Sequence, residues 1–534
     1  MTERDRRRAL TRRKLLETAV VAAPALLLAR DARALADTAD SAGALQRSAS
    51  DFKGMNVVIF LTDQERAIQH FPKGWAARNL PGLTQLRRNG LEFTNCFTNA
   101  CMCSPARSTL MSGYFPAQHQ VKYTLEEDMP ADEYPQFELP PHLPNIASVM
   151  SSAGYSVIYK GKWHCSKPPP GASAAPADLA EYGFARWNPP DAGANQTIPE
   201  AGGGSTNNDG RFMDSTGSAA AGHEGAIEYL TSIATQQQPF CLIVSLVNPH
   251  DVLFYPNDYK DAGYGNSSVK GTIKLPRTIN EDLSTKPRVQ REFQALLNGL
   301  GRLTNRQMER AYINFYGNLM KESDAYLVQV LNTLDKVSLR EDTVVIRTAD
   351  HGEMGLAHGG LRQKNFNFYE ESTNVPLVYS NPKLFKRPRR SKALVSHVDF
   401  LPTLASLFGA PRSAQVDWEG VDYSRKVVKP NSKPPQNYVV FTYDDFQSGQ
   451  ANPPYPKPPN HIVSIREKRW KLAKYYDTSG KKRNEWEMYD LKRDPMERKN
   501  LADRGYKRTP LQQKEYRRLK RKLARVQKTR LAPL

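Results

Sequence analysis

Asn56-Val57-Val58-Ile59-Phe60-Leu61 is an unbroken apolar run that ends in the polar triplet Thr62-Asp63-Gln64. A strand apolar along its whole length is buried on both faces, as in a parallel sheet between two layers of helix. Tyr155–Tyr159, Phe240–Val247 and Thr343–Arg347 repeat the pattern. Between them lie the helical stretches Leu80–Arg88 (closed by Asn89-Gly90), Gly225–Ala234 and Asn314–Leu334. This alternation predicts an α/β fold with a large mixed, mostly parallel sheet sandwiched by helices. Polar or charged residues follow each strand, and open α/β sheets build their sites at that edge. Gly171–Gly210, rich in Gly, Ala, Pro and Asn, reads as a long irregular loop.

The pattern changes beyond Gly409. Pro430–Pro435 and Pro453–Pro459 precede β-type runs at Tyr438–Tyr443 and His461–Tyr476. They predict a smaller antiparallel α+β subdomain over 410–502, after a catalytic domain over 54–409. In the basic tail 503–534, Tyr516, Leu519, Leu523 and Val526 recur at helical spacing among Lys and Arg. Such a helix either packs on the domain with a solvated face or attaches the protein to an anionic polymer or membrane surface.

The 534 residues are 39% hydrophobic and 24% charged, which excludes collagen-like, coiled-coil and wholly disordered chains. The formal net charge of +20 belongs to the ends. Residues 1–36 carry nine basic and four acidic side chains, and residues 503–534 carry twelve and two, leaving +5 for the body. A nucleic-acid-binding core is therefore not expected. Five cysteines, an odd number in so long a chain, exclude a disulfide scaffold. Thr11-Arg12-Arg13-Lys14-Leu15-Leu16, the apolar run Ala19–Ala29 and Ala34-Leu35-Ala36 read as a twin-arginine-type signal peptide over 1–36, with a linker over 37–53. The apolar run falls short of the roughly 20 residues that span a bilayer. The expectation is export of a folded protein by the twin-arginine translocase to a periplasmic or secreted location.

Residues 103–113 read Cys103-Ser104-Pro105-Ala106-Arg107-Ser108-Thr109-Leu110-Met111-Ser112-Gly113. The spacing puts Pro105 at the first position of a helix, Cys103 just before it and Arg107 one turn on, on the same face. A nucleophile at a helix start beside a fixed cation suits an anionic substrate. The C-x-P-x-R core continued by x-x-L-M-S-G resembles the signature of the type I sulfatases, formylglycine-dependent members of the alkaline-phosphatase-like superfamily. The resemblance implies that a formylglycine-generating enzyme oxidises Cys103 to an aldehyde whose hydrate is the nucleophile, aided by Arg107. Cys101 lacks a proline two positions on and is expected to stay a thiol; Cys96, Cys165 and Cys241 read as core residues.

Gly154-Tyr155-Ser156-Val157-Ile158-Tyr159-Lys160-Gly161-Lys162-Trp163-His164 resembles the family's second signature, which implies that Lys162 binds sulfate and His164 meets the formylglycine hydroxyls. Two residues apart at a strand's end, the pair points to one side. Asp63 and Asp350, each after a strand, can clamp one divalent cation. The resemblance adds Gln64, His351 and the modified Cys103 as ligands. The commoner pattern has Asp-Asp and then Asp-Asn; Gln64 and His351 depart from it and resemble the choline-sulfatase and phosphonate monoester hydrolase branches. Calcium is the expected ion, with manganese or magnesium as alternatives. In Val247-Asn248-Pro249-His250-Asp251, His250 matches the histidine that protonates the leaving alcohol, and Lys364 in Leu361-Arg362-Gln363-Lys364 matches a second sulfate-binding lysine. His358 reads as structural or as a support behind the site residues. Glu487-Met488-Tyr489-Asp490-Leu491 resembles the closing motif, so the resemblance runs from Asn56 to Leu501.

The function implied is a sulfatase cutting a small-molecule or glycan sulfate ester, with Gly171–Gly210 and Asp251–Tyr264 shaping the pocket. Two alternatives stand: a phosphonate monoester hydrolase or phosphodiesterase of the same superfamily, and a non-catalytic binder of sulfated glycans.

Overall fold

The first apolar run forms β1 (Asn56–Thr62), whose residues divide strictly between two cores. Val57, Ile59 and Leu61 join one hydrophobic cluster, and Val58 and Phe60 the other. The side-chain period of two thus feeds a core on each face of the strand. The computed structural model describes residues 48–534 apart from 68–69, 128, 130–135, 170–171, 199, 205–207, 215–222 and 451–452. The expected signal peptide and most of the expected linker lie outside the described residues.

β1 shares a seven-stranded sheet with β2 (Gly90–Phe93), β3 (Ser156–Gly161), β4 (Phe240–Ser245), β5 (Thr343–Ala349), β6 (Leu377–Ser380) and β7 (Arg389–Ser391). The spatial order is β3-β4-β1-β5-β6-β2-β7. The first four run parallel in register, β6 is antiparallel to both of its neighbours, and β2 is parallel to β7. The large, mostly parallel sheet is therefore present. α1 (Pro81–Arg88) and α2 (Cys103–Ser112) feed opposite cores, through Leu83 and Leu86 and through Leu110 and Met111. α3 (Arg306–Lys336) joins the α1 side, and α4 (Phe400–Phe408) the α2 side.

Two sequence readings need correction. Gly171–Gly210 contains a short helix, Pro176–Ala180, and the opening of another, Asn208–Met213. His461–Tyr476 is two strands, because the chain turns at Lys468-Arg469. Together β8 (Tyr438–Tyr443), β9 (His461–Glu467), β10 (Trp470–Tyr476) and β11 (Glu485–Asp490) make an antiparallel sheet in sequence order. One face sets Phe441, Tyr443, Ala473 and Tyr475 in a cluster with Cys101, Met102 and Phe366. The other sets Val463, Ile465, Leu472 and Met488 against the tail helix, α5 (Pro510–Thr529).

α5 starts at a capping box, Thr509 with Gln512, and has Pro510 at its first position, both good helix-start chemistry. Leu519, Leu523 and Val526 are buried, so the tail packs on the subdomain. All five cysteines are free and buried, and Cys96, Cys165 and Cys241 sit in the hydrophobic core as expected. Because Leu523 is fully enclosed, Leu523→Ala should cost about 2–5 kcal/mol of stability, read from the urea midpoint. An unchanged midpoint would mean that the tail is dispensable to the fold.

Candidate active site

The carboxyl ends of β1, β3, β4 and β5 meet the start of α2. Asp63 and Gln64 follow β1, Lys162 to His164 follow β3, and Asp350 and His351 follow β5. Cys103 is the first residue of α2 rather than the residue before it, so Pro105 stands at the third position. The shift costs nothing, since the first helical amides have no partner within the helix. Cys103 is 2% exposed.

Arg107, one turn on, is fully buried and distributes its N–H groups among four strand ends. Nε donates to Asp350 Oδ2 (2.9 Å), Nη2 to Asp63 Oδ2 (3.2 Å), and Nη1 to both the Lys162 carbonyl (2.8 Å) and Ser245 Oγ (2.8 Å). Lys162 Nζ lies 2.7 Å from Asp63 Oδ2. Cys103 Sγ sits 3.2 Å from His351 Nε2 and 3.6 Å from Asp63 Oδ1. Asp63, Cys103, Asp350 and His351 each offer one donor atom, all within 4.8 Å of one another. His351 Nδ1 donates to the Gly352 carbonyl (3.1 Å), which leaves Nε2 as a lone pair beside the thiol.

Gln64 and Lys364 meet at the same place, with Lys364 Nζ donating to Gln64 Oε1 (2.6 Å). Gln64 Nε2 donates to Glu353 Oε2 (2.6 Å), which fixes the amide's orientation. Gln64 has φ +64°, a left-handed conformation that is rare for glutamine and turns the chain sharply after β1. Its backbone N–H donates to Asp350 Oδ1 (3.0 Å), tying that turn to the end of β5.

Lys162 and His164, expected at the end of an extended strand, lie just past it. β3 stops at Gly161, and His164 has φ +57°, so both lie in a turn beyond the strand. Asp191 sets that turn by accepting from the Trp163 and His164 amides, each at 2.7 Å. His164 Nε2 donates to the Leu125 carbonyl, leaving Nδ1 buried without a partner. His250 Nδ1 is likewise buried and unpartnered. Buried polar atoms are nearly always hydrogen-bonded, so these two bare nitrogens mark positions where a further group can be met.

Burial sets the charges here. It would raise the Asp63 carboxyl, but Lys162, His250 and Arg107 together hold it well below the usual carboxylate range. Burial and the adjacent Asp63 push the Cys103 thiol up to about 11. Burial, then Lys162, holds His164 well below the usual histidine range. Burial lowers His250 in the same way, with Asp63 opposing and Lys364 and Lys162 assisting.

Cys103, His164, His250, Gln363 and Lys364 line a cavity of about 340 Å³, with Phe293 and Leu297 on an apolar wall and Gly449 and Gln450 from the C-terminal part. Asn195, Gln196, Phe254 and Asp258 also line it, so both segments expected to shape the pocket contribute. His358 lies apart, between Glu281 Oε2 (2.9 Å) and Glu371 Oε2 (3.5 Å) and stacked on Tyr369 (3.7 Å). It is held by two carboxylates and a ring, and it does not line the cavity. Sequence reasoning missed Asp191 and Ser245; neither stands in a motif, and only the Pro189-Pro190 break before Asp191 hints at a fixed loop.

The family model described as sulfatase matches residues 55–410. The chain belongs to the sulfatase family. It is accordingly a sulfuric ester hydrolase. A second model, described as the C-terminal part of N-sulphoglucosamine sulphohydrolase, matches residues 358–529 of this sulfatase. A Delta 4,5-hexuronate-2-O-sulfatase of Bacteroides thetaiotaomicron is 27% identical over 431 residues, 79% of each chain. A solved 2-O GAG sulfatase superposes with a TM-score of 0.64 at 22% identity, covering 90% of this chain and 93% of the other. The phosphonate monoester hydrolase of Agrobacterium radiobacter superposes with a TM-score of 0.59 at 20% identity, covering 88% and 96%.

Asp191 fixes the turn that carries Lys162 and His164, and misplacing reacting groups by an ångström costs about a hundredfold. Asp191→Ala should lower kcat for an aryl sulfate by at least about tenfold while leaving the Cys103 environment folded. An unchanged kcat would show that the turn holds without its carboxylate.

Proposed function

We propose that this sulfatase cleaves sulfate monoesters through a formylglycine made from Cys103, with a divalent cation, calcium by preference, held by Asp63, Gln64, Asp350 and His351. The observation that carries the reading is the donor set around the Cys103 sulfur, with two lysines facing it. The residues fit a cation: two carboxylates converge with a carbonyl oxygen and a histidine lone pair whose other nitrogen is already committed. A bound cation would polarise the sulfate oxygens, and the aldehyde hydrate would supply an oxygen nucleophile regenerated by collapse to the carbonyl.

The chain's own residues do the rest. Arg107 keeps the two carboxylates and the Lys162 turn fixed with respect to Cys103. Lys162 and Lys364 neutralise charge on the sulfuryl oxygens as the S–O bond breaks. His250 gives the leaving alcohol a proton. Its buried imidazole resists protonation, and an anionic ester entering the cavity opposes that resistance, so the acid forms where the substrate is. His164 takes a proton through its bare Nδ1.

The likeness to a hexuronate-2-O-sulfatase and a GAG sulfatase supports a glycan sulfate as substrate, consistent with a cavity that joins polar Asn195 and Gln196 to an apolar wall. Export by the twin-arginine route rests on Arg12-Arg13 and the segment after it. One observation favours the phosphonate monoester hydrolase as second reading: Gln64 replaces a charged donor by a neutral oxygen, and His351 offers a nitrogen where the commoner pattern has an amide oxygen.

The deciding measurement is the mass of the peptide containing Cys103, from protein made with a formylglycine-generating enzyme. An aldehyde is expected; a plain thiol, in a host that converts a control C-x-P-x-R protein, would overturn the reading. Lys162→Ala should cut kcat/KM on an aryl sulfate by about 10²–10³. Faster turnover of an aryl phosphonate than of the sulfate would install the second reading instead. Chelation should abolish turnover and calcium restore it, with His351→Ala losing metal measured by plasma mass spectrometry.

A further inference from the structure

The cations of α5 fall into two groups. Arg518 and Lys522 both bind Glu467, with contacts of 2.6 Å, and Lys520 sits over the Trp486 ring at 4.4 Å. Arg530 is bonded to the Glu419 carbonyl. These cations fasten the helix to its sheet. Lys514, Arg517, Arg521, Arg525 and Lys528 are exposed, and none has an ion pair among the described residues.

At 3.6 residues per turn these five fall within an arc of about 80° and run about 21 Å along the helix. The stripe stands opposite Leu519, Leu523 and Val526, which are spent on the core. Beside the helix, a cleft of about 840 Å³ is lined by Lys392, Lys433 and Lys468, with Arg390, which is paired to Glu92 (2.7 Å), and Lys426, whose ammonium is bonded to the Pro430 and Ser432 carbonyls. Tyr438 joins the cleft to α5: it lines the cleft and carries Lys522, one of the fastening cations, over its ring at 3.9 Å. This surface shares no residue with the cavity around Cys103.

We propose that the α5 stripe and the adjoining cleft bind a linear sulfated polysaccharide, holding the enzyme on a polymer independently of turnover. A straight row of unpaired cations suits a linear polyanion, and its strength comes from displaced counterions and charge pairing. A membrane surface fits less well. A helix that lies in a bilayer interface buries its apolar face there, and this one has spent that face on the protein, with Leu511 as the exposed apolar residue of its first turn. The choice of a sulfated glycan among polyanions rests on the sulfatase reading.

The test uses the full chain carrying Cys103→Ala, so that binding is read without turnover, with size-defined heparin fragments as the probe at about 0.15 M salt. Replacing Lys514, Arg517, Arg521, Arg525 and Lys528 together by Glu should weaken binding at least about tenfold. The same charge change at the exposed Lys73, Lys270, Lys274, Lys336 and Lys481 should weaken it less than about threefold. The five-fold Gln variant, which adds no new charge, should weaken binding in the same direction. Melting temperature and turnover of a small aryl sulfate, in protein keeping Cys103, should be unchanged by the stripe variants. Equal losses in the stripe and control variants, or unchanged binding in the stripe variant, would overturn the proposal. So would tighter, stripe-dependent binding to duplex DNA or to phosphatidylserine vesicles. Heparin binding retained by a protein inactive on every sulfate ester would count against the sulfatase proposal and leave this one standing.

Discussion

One buried guanidinium organises this molecule. Arg107 has no exposed surface, and it binds the residues that follow β1 and β5 through their carboxylates, the turn after β3 through a carbonyl, and the end of β4 through Ser245. Taking such a cation out of water costs several kcal/mol, an expense met only when its donors are satisfied and its charge is opposed. Asp63 and Asp350 provide both. Lysine, a single ammonium on a flexible stem, could not reach four strand ends at once. The parallel sheet and the site are therefore one electrostatic unit: whatever fixes the strands' carboxyl ends also fixes Cys103 between Asp63 and His351.

The C-terminal sheet completes this unit from the other side. Its inner face packs in a cluster with Cys101 and Met102, the two residues before Cys103, and with Phe366, two residues after Lys364. Cys101 Sγ donates to the Lys364 carbonyl (2.9 Å), so the neighbouring thiol braces the backbone of a lysine in the pocket. Gly449 and Gln450 then line the cavity. The second, smaller sheet is part of how the site is held.

The fold was legible where the physics is local. Runs such as Asn56–Leu61 and Phe240–Val247 declare strands buried on both faces, because periodicity alone shows how many faces a strand covers. The donors Asp63, Asp350 and Cys103 were legible through motifs, and the structure brings them together although 287 residues separate the outermost two. Asp191 and Ser245 were not legible. Each acts through a partner far along the chain, Asp191 on the backbone of Trp163 and Ser245 on Arg107, and such long-range geometry leaves no periodic trace. The backbone under Lys162 and His164 was misjudged for a similar reason: the strand's length depends on its neighbours, and it stops at Gly161.

The order in which these contacts arise also matters during synthesis. Cys103 is enclosed in the finished protein, yet much of its enclosure comes from residues translated far later: Asp350 and His351 at the end of β5, then Lys364 on the pocket wall. The sheet that presses on Met102 is completed by β11, and α5 closes its far side with the last residues of the chain. While the ribosome works through the long stretch from α2 to β5, the thiol lacks the walls that these later residues supply.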